Sequence, residues 1–160
     1  MSETVFDKPF TQQEGMPDAV IERAVEILKG GRLHRYNTVE GEIAEAALLE
    51  DEYAEYQGTN YCIACTSGGY AMQVALRSVG MKPGDKILAN AYTLAPVPGA
   101  IHAAGGSPVF IEIDQNWHTD IDDLRSKAKN SGAKFMLLSH MRGHIADMEA
   151  VTSICEEYGI

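Results

Sequence analysis

Apolar residues recur at helical spacing over two stretches near the start of the chain. The first covers residues 17–29 and the second residues 39–56, and glycines follow both stretches. Apolar side chains three and four positions apart share one face of a helix, and glycine is typical of a helix end. The pattern therefore predicts two amphipathic helices, joined by an exposed loop over residues 32–37.

After Gly58 the pattern changes to short apolar runs that alternate with amphipathic stretches. The runs predict strands over residues 61–64, 86–90, 108–112 and 133–139. The stretches predict helices over residues 69–79, 93–104, 120–129 and 147–158. This alternation predicts the α/β class: a three-layer α/β/α arrangement around a mostly parallel sheet. Residues 1–57 are then an N-terminal helical segment, and residues 58–160 are an α/β domain.

Small polar residues fill the predicted turn between the first strand and its helix, at Thr66, Ser67, Gly68 and Gly69. The first N–H groups of a helix have no partner within the helix, and the helix dipole is positive there. Such a turn binds a phosphate well. An ordinary strand-to-helix turn capped by Ser or Thr is the alternative. Parallel strands bring the turn to one sheet edge together with the segments that begin at Asn90 and Ser139.

The charge and the apolar runs limit the partners of the chain. The formal net charge is −10 at pH 7, and Lys and Arg form no run. Nucleic-acid binding needs clustered basic side chains, so we expect no nucleic-acid partner. The apolar runs are far shorter than the roughly 20 residues that cross a bilayer, and the first residues lack a secretory signal. We expect no membrane partner and a cytoplasmic location.

Cysteine and histidine residues suggest metal or redox chemistry only weakly. Cys62 and Cys65 form a C-x-x-C pair, but side chains three apart in a strand point to opposite faces. We predict that both are buried core residues. His140 and His144 lie on a predicted loop with Asp147 beyond them, which is a weak zinc pattern, so we expect no metal.

Two further features leave alternatives open. Arg32, Arg35 and Tyr36 lie in the loop over residues 32–37, which is either a solvated turn or a binding site for an anionic ligand. Trp117 is expected in a surface turn. Neither nucleotide-binding glycine fingerprint is present, which disfavours a dinucleotide-binding domain.

Five motifs follow one another in a fixed order, over residues 66–76, 80–88, 91–101, 105–114 and 139–147. In this order they resemble the DegT/DnrJ/EryC1/StrS aminotransferases, which are pyridoxal-phosphate enzymes of the aspartate aminotransferase fold. The resemblance covers residues 30–160. It implies that residues 58–160 are an incomplete large domain of fold type I. It also implies pyridoxal 5'-phosphate as cofactor, an amino acid and a nucleotide-linked keto sugar as substrates, and a homodimer when the protein is complete.

The resemblance also assigns residues to the two ligands. The cofactor-binding candidates are Thr66, Ser67, Gly68, Gly69, Tyr92, Leu94 and His140. The substrate-binding candidates are Arg32, Arg35, Tyr36 and Arg142. Two positions depart from the family pattern. Gly69 stands where the family usually has Thr, and Leu94 stands where an aromatic residue usually stacks on the pyridine ring, for which Tyr92 is a possible substitute.

The family's Schiff-base Lys and the Asp that pairs with the pyridinium nitrogen belong to motifs that these 160 residues do not contain. We therefore expect no catalytic residue here and no transamination by this chain alone. Two other hypotheses stay open: a sugar dehydratase of the same family, with His in place of the Lys, and a truncated, non-catalytic binding or assembly subunit. The coding sequence beyond Ile160 would distinguish them.

Overall fold

The computed structural model describes Pro9, Thr11, residues 13–36 and residues 39–160. It contains two compact units, Met1–Ala64 and Cys65–Ile160. Asn37, the last residue of the predicted loop, lies outside the described residues.

The first unit contains two helices, α1 (Asp18–Gly30) and α2 (Glu45–Gln57). Each ends at a glycine with a left-handed backbone, Gly31 and Gly58, whose N–H groups bond to carbonyls of the last turn. The prediction that the second helix starts at residue 39 was wrong. Gly41 has a φ of 83°, which lies outside the helical region and delays the start of α2.

The predicted strand over residues 61–64 is also wrong: this segment has no regular secondary structure. The backbone N–H of Ala64 donates to Oε1 of Glu50 over 2.7 Å. A side-chain carboxylate thus takes a donor that a strand would use in its ladder. Tyr61 is 91% exposed and Ile63 is also exposed, so the segment does not have the buried side chains of a central strand.

The second unit contains a parallel three-stranded sheet in the order β2-β1-β3, with β1 (Lys86–Asn90), β2 (Ser107–Ile111) and β3 (Phe135–Leu137). Leu88 of β1 pairs with Val109 on one side and Met136 on the other. The α/β class and the parallel sheet are confirmed. β1 has the predicted bounds, β2 starts and ends one residue earlier, and β3 is shorter than predicted.

Four helices belong to this unit: α3 (Gly68–Ser78), α4 (Pro96–Ala103), α5 (Ile121–Asn130) and α6 (Met148–Tyr158). Alternate residues of β1 face opposite sides of the sheet. Ile87 and Ala89 join a core with residues of α3 and α4, whereas Leu88 joins a core with residues of α5 and α6. The unit therefore has three layers, as predicted.

The start of α4 differs from the prediction, which placed it at residue 93. Thr93 and Leu94 instead form part of the turn after β1, and the hydroxyl of Thr93 bonds across the sheet edge to Oγ of Ser139 over 2.9 Å. This cross-sheet bond holds Thr93 in the turn. The other three helices of the unit match their predicted bounds within one residue.

All three cysteines are free and half-buried. The prediction that Cys62 and Cys65 are buried core residues was wrong, because residues 61–65 do not form a central strand. Within the described ranges, no group of three or more His, Cys, Asp or Glu side chains is placed to hold a metal ion. None of the described helices combines the length and the apolar character needed to span a membrane.

The hydrogen bonds of Glu50 indicate how the stability of the first unit changes at acid pH. The backbone N–H of Ala64, and then the guanidinium of Arg35, lower the pKa of Glu50 below its ordinary value of 4.5. A lowered pKa in the folded state means that the carboxylate stabilises the fold above pH 4.5 and that this stabilisation is lost as pH falls through the folded pKa. The free energy of unfolding in urea should fall less in Glu50→Gln than in the wild type when the pH is lowered from neutral to acid.

Arg35→Ala is the matched control, because it leaves the N–H of Ala64 in place as the larger cause of the shift. It should remove only part of the acid dependence. An acid dependence that is the same in wild type and Glu50→Gln would contradict this assignment.

Candidate functional site

The carboxyl ends of β1 and β3 lie side by side, and the chain leaves them toward opposite faces of the sheet. β1 leads into α4, which packs on one face, and β3 leads toward α6, which packs on the other. Ligands of open parallel sheets bind in the crevice where neighbouring connections diverge in this way. The sheet therefore predicts a ligand site between the segments that follow β1 and β3.

Asn90, the last residue of β1, links these two segments. Its side chain is 4% exposed. Its Nδ2 donates to the carbonyl of Tyr92 over 2.7 Å and to the carbonyl of Ser139 over 3.0 Å. Its Oδ1 accepts from the N–H of Ser139 over 2.9 Å. A single buried amide thus fixes the backbone on both sides of the crevice.

Helices α3 and α4 run side by side in the same direction. A Cβ added at Gly69 would lie 3.9 Å from Cβ of Pro96, so the two helices are close at their starts. The side chains of Gln73 and Arg77 both donate to the carbonyl of Ala103, so the helices are also close near their ends. The N-terminus of α3 therefore lies beside the turn that follows β1.

Ser67 caps α3 and leaves a donor available. Its Oγ accepts from the backbone N–H of Tyr70 over 3.1 Å, so its own hydroxyl hydrogen can be donated to a ligand. Thr66, Ser67 and Gly68 are exposed. The N–H groups of Gly68 and Gly69 have no protein acceptor within the described part of the chain. This turn presents the donors that an anion requires.

The loop after β3 carries two further predicted site residues, His140 and Arg142, and both are exposed. Arg142 has a φ of 54° in a short 3-10 turn over Met141–Gly143. His140 directly follows Ser139, and the side chain of Asn90 holds the backbone of Ser139 in place. The loop is therefore anchored at its start.

The second unit resembles known enzymes in sequence and fold. The sequence profile of the DegT/DnrJ/EryC1/StrS aminotransferase family matches residues 16–160. The chain belongs to the DegT/DnrJ/EryC1/StrS aminotransferase family. The family assignment made from the five motifs is thereby confirmed.

Named relatives give the activities found in this family. The chain is 32% identical over 144 residues to dTDP-3-amino-3,4,6-trideoxy-alpha-D-glucose transaminase of Streptomyces venezuelae, covering 89% of this chain and 35% of that protein. It is 29% identical over 116 residues to UDP-2-acetamido-2-deoxy-3-oxo-D-glucuronate aminotransferase of Pseudomonas aeruginosa, covering 72% of this chain and 32% of that protein. The chain thus spans about a third of the length of these curated relatives.

A solved structure extends the comparison to a cofactor. The structure of NtdA from Bacillus subtilis with bound cofactor PMP matches with a TM-score of 0.75 and 25% identity. The match covers 88% of this chain and 31% of that one. The fold of this family member is therefore that of PLP aminotransferases.

The structure shows the space at the two positions that depart from the family pattern. Around Gly69, an added Cβ would make only ordinary van der Waals contacts, to Pro96 and Ser67, so a Cβ is accommodated there. Leu94 is 59% exposed and is free to cover an apolar ligand face. Tyr92 contacts Trp117, with ring centroids 5.0 Å apart, so part of the Tyr92 ring is already covered by Trp117.

The loop of the first unit places its three predicted site residues in different surroundings. Arg32 pairs with Glu42 over 2.6 Å, and Arg35 pairs with Glu50 over 2.5 Å. The ring of Tyr36 stacks on His34. Arg32 and Tyr36 line a cavity of about 300 Å³ between α1 and the start of α2. Both arginines are therefore neutralised by glutamates of their own unit.

Sequence reasoning identified the Ser67 turn but missed the roles of Asn90, Ser139 and Trp117. The sequence signal for Asn90 is a polar residue that ends an otherwise apolar strand, Lys86–Asn90. The contact between Trp117 and Tyr92 joins residues 25 positions apart, and no local pattern predicts it.

Asn90→Ala tests the link across the crevice. The variant leaves the N–H and carbonyl of Ser139 without their side-chain partners, and an unpaired buried group costs about 1–3 kcal/mol. We expect the free energy of unfolding in urea to fall by about 2 kcal/mol. Asn130→Ala is the control, since its amide makes one exposed bond within α5, and should change stability by less than about 0.5 kcal/mol. Equal effects of the two variants would contradict the role of Asn90.

Proposed function

We propose that these residues are part of a pyridoxal-phosphate aminotransferase that transfers an amino group from an amino acid to a nucleotide-linked keto sugar. The observation that carries this proposal is the Ser67 turn beside the crevice between β1 and β3, in a member of this family. The substrate class is supported by the dTDP- and UDP-linked sugars in the names of two relatives.

The Ser67 turn fits the phosphate of the cofactor. Ser67 offers its hydroxyl hydrogen, and Gly68 and Gly69 offer backbone N–H groups. The exposed hydroxyl of Thr66 is a fourth candidate donor. The positive end of the α3 dipole adds a favourable field for an anion, although the chain as a whole is acidic.

The residues around the crevice then surround the remainder of the cofactor. Leu94, an exposed apolar side chain on the turn after β1, would contact the ring, and Tyr92 and His140 lie on the turns at either side. When bound, the cofactor supplies the electron-withdrawing ring and the group that carries the transferred nitrogen. The protein residues described here bind and orient it, and they hold the backbone of the crevice in place.

The substrate-binding candidates differ in their charge pairing, each within its own unit. Arg142 is exposed and has no ion-pair partner among the described residues, so it is available to an anionic substrate group. Arg32 and Arg35 are paired with Glu42 and Glu50, so an anion has to displace a glutamate from each of them. Tyr36 offers a hydroxyl beside Arg32 at the cavity of the first unit.

Catalysis requires a lysine that these residues do not supply. Lys86 begins β1, at the opposite sheet edge from the crevice, and donates to the carbonyl of Ser131. Lys127 is paired with Asp123 on α5. We therefore propose that residues 1–160 alone do not transaminate and that a homodimer of the complete protein does so. A cytoplasmic location is supported by three free thiols, which persist in reducing compartments.

Ser67 and Gly69 give the sharpest test of cofactor binding. Ser67→Ala removes a phosphate donor and a helix cap, so the Kd for pyridoxal phosphate should rise about ten-fold or more, and the fold should lose about 1 kcal/mol. Gly69→Thr adds the missing hydroxyl at a position where a Cβ makes only ordinary contacts, so the Kd should fall about three-fold or more. Cofactor titration by absorbance measures both constants.

Asp120→Ala is the matched control. Asp120 caps α5 as Ser67 caps α3, so its loss should cost the same stability without changing the Kd. If Ser67→Ala and Asp120→Ala change the Kd equally, the phosphate assignment is wrong.

The activity itself is tested with the protein expressed from its natural coding sequence and loaded with pyridoxal phosphate. We expect mass spectrometry to detect an amino sugar when a nucleotide-linked keto sugar and an amino acid are supplied together. No amino sugar should form when either substrate is left out. A product that has lost water without gaining nitrogen would identify sugar dehydration and overturn the proposed transamination.

A further inference from the structure

The turn between β2 and α5 holds Trp117 in an unusual backbone conformation. Trp117 has a φ of 67°, a left-handed value that bulky side chains rarely adopt. The carboxylate of Asp114 fixes the turn by accepting from the backbone N–H groups of Asn116 and His118, over 2.8 and 2.9 Å. The N–H of Asp114 donates back to the carbonyl of His118, also over 2.9 Å. Hydrogen bonds among Asp114, Asn116 and His118 thus fix the turn around one strained tryptophan.

The same turn reaches both loops of the crevice. The ring of Trp117 packs on the ring of Tyr92, after β1, at a centroid distance of 5.0 Å and an angle of 52°. The ring of His118 lies 5.8 Å from the ring of His144, in the loop after β3. The segment after β2 therefore contacts the segment after β1, its neighbour in the sheet, and the segment after β3, which lies beyond β1. A strained conformation persists only where the surrounding structure supports it, and it often serves a site.

We propose that Trp117 is a positioning residue of the cofactor site, which acts by holding the turn of Tyr92 and Leu94 against the crevice. Asn90 fixes this turn only at the carbonyl of Tyr92. The ring of Trp117, a residue that is 54% exposed, contacts the side chain of the same residue, Tyr92. These two contacts hold the turn at Tyr92, and the bond between the hydroxyls of Thr93 and Ser139 holds it one residue further on. Its link to the cofactor rests on the proposed function, whereas its link to Tyr92 does not.

The variant Trp117→Asn separates the effect of the Trp117 ring from the effect of the left-handed backbone at this position. Asparagine tolerates the left-handed conformation, so the turn around Asp114 should still form, but the contact with Tyr92 is lost. In the full protein without cofactor, backbone hydrogen exchange over residues 91–95 should become faster by about two- to twelve-fold, the effect expected from losing one aromatic pair. Exchange in α6 should not change.

Three further variants show whether the ring of Trp117 acts through Tyr92. Gln115→Asn also introduces asparagine into this turn, at an exposed side chain that makes no hydrogen bond within the described part of the chain, and it should leave exchange unchanged. Trp117→Phe keeps an aromatic ring and should restore most of the protection. Tyr92→Leu should speed exchange as Trp117→Asn does, and the double variant should be no faster than either single variant.

Cofactor binding supplies a separate measurement. Trp117 is the single tryptophan among the 160 residues, so the fluorescence difference between wild type and Trp117→Phe isolates its signal. Pyridoxal phosphate should change this signal, and Trp117→Asn should raise the Kd by about two- to twelve-fold. Unchanged exchange in Trp117→Asn, or additive effects with Tyr92→Leu, would overturn the positioning role. Altered exchange without any cofactor binding would support the contact with Tyr92 and contradict the proposed function instead.

Discussion

The buried amide of Asn90 is the interaction on which the arrangement of the carboxyl edge depends. β1 is the central strand, and its last side chain donates to carbonyls after β1 and β3 and accepts from a backbone N–H of the second segment. Burial strengthens these bonds and makes any unpaired partner costly, so the backbone on both sides of the crevice has one favourable arrangement. A ligand site at this edge can therefore be formed before a ligand binds.

Local fields rather than total charge determine what this edge can bind. The chain carries a formal net charge of −10, which would repel a phosphate at long range. At the Ser67 turn, however, unpaired N–H groups and the helix dipole act within a few ångströms, where screening by solvent is weakest. The parallel packing of α3 and α4 brings this turn beside the segment after β1. An acidic protein thus presents, at one helix end, the hydrogen-bond donors that an anion requires.

The two departures from the family pattern concern donors and stacking rather than space. By the resemblance, Gly69 lacks a hydroxyl at a position where a Cβ would make only ordinary contacts, and Leu94 is an exposed apolar side chain where an aromatic one is expected. Trp117 and Tyr92 provide an aromatic pair close to the same turn. If Trp117 holds the turn through Tyr92, Leu94 on the same turn is held in place although its own side chain cannot stack.

The sequence by itself determined the α/β class, the parallel sheet, the helices after Gly58 within a few residues, and the family, because periodicity and ordered motifs are local properties. It failed at residues 61–64, where the carboxylate of Glu50 takes the N–H of Ala64, and at residues 39–44, where Gly41 interrupts the helix. Only the tertiary structure decided how Asn90 joins Ser139, how Trp117 meets Tyr92, and that Arg35 is paired with Glu50. Each of these contacts joins residues 15 or more positions apart, and it exists because the fold, rather than any local preference, brings its partners together.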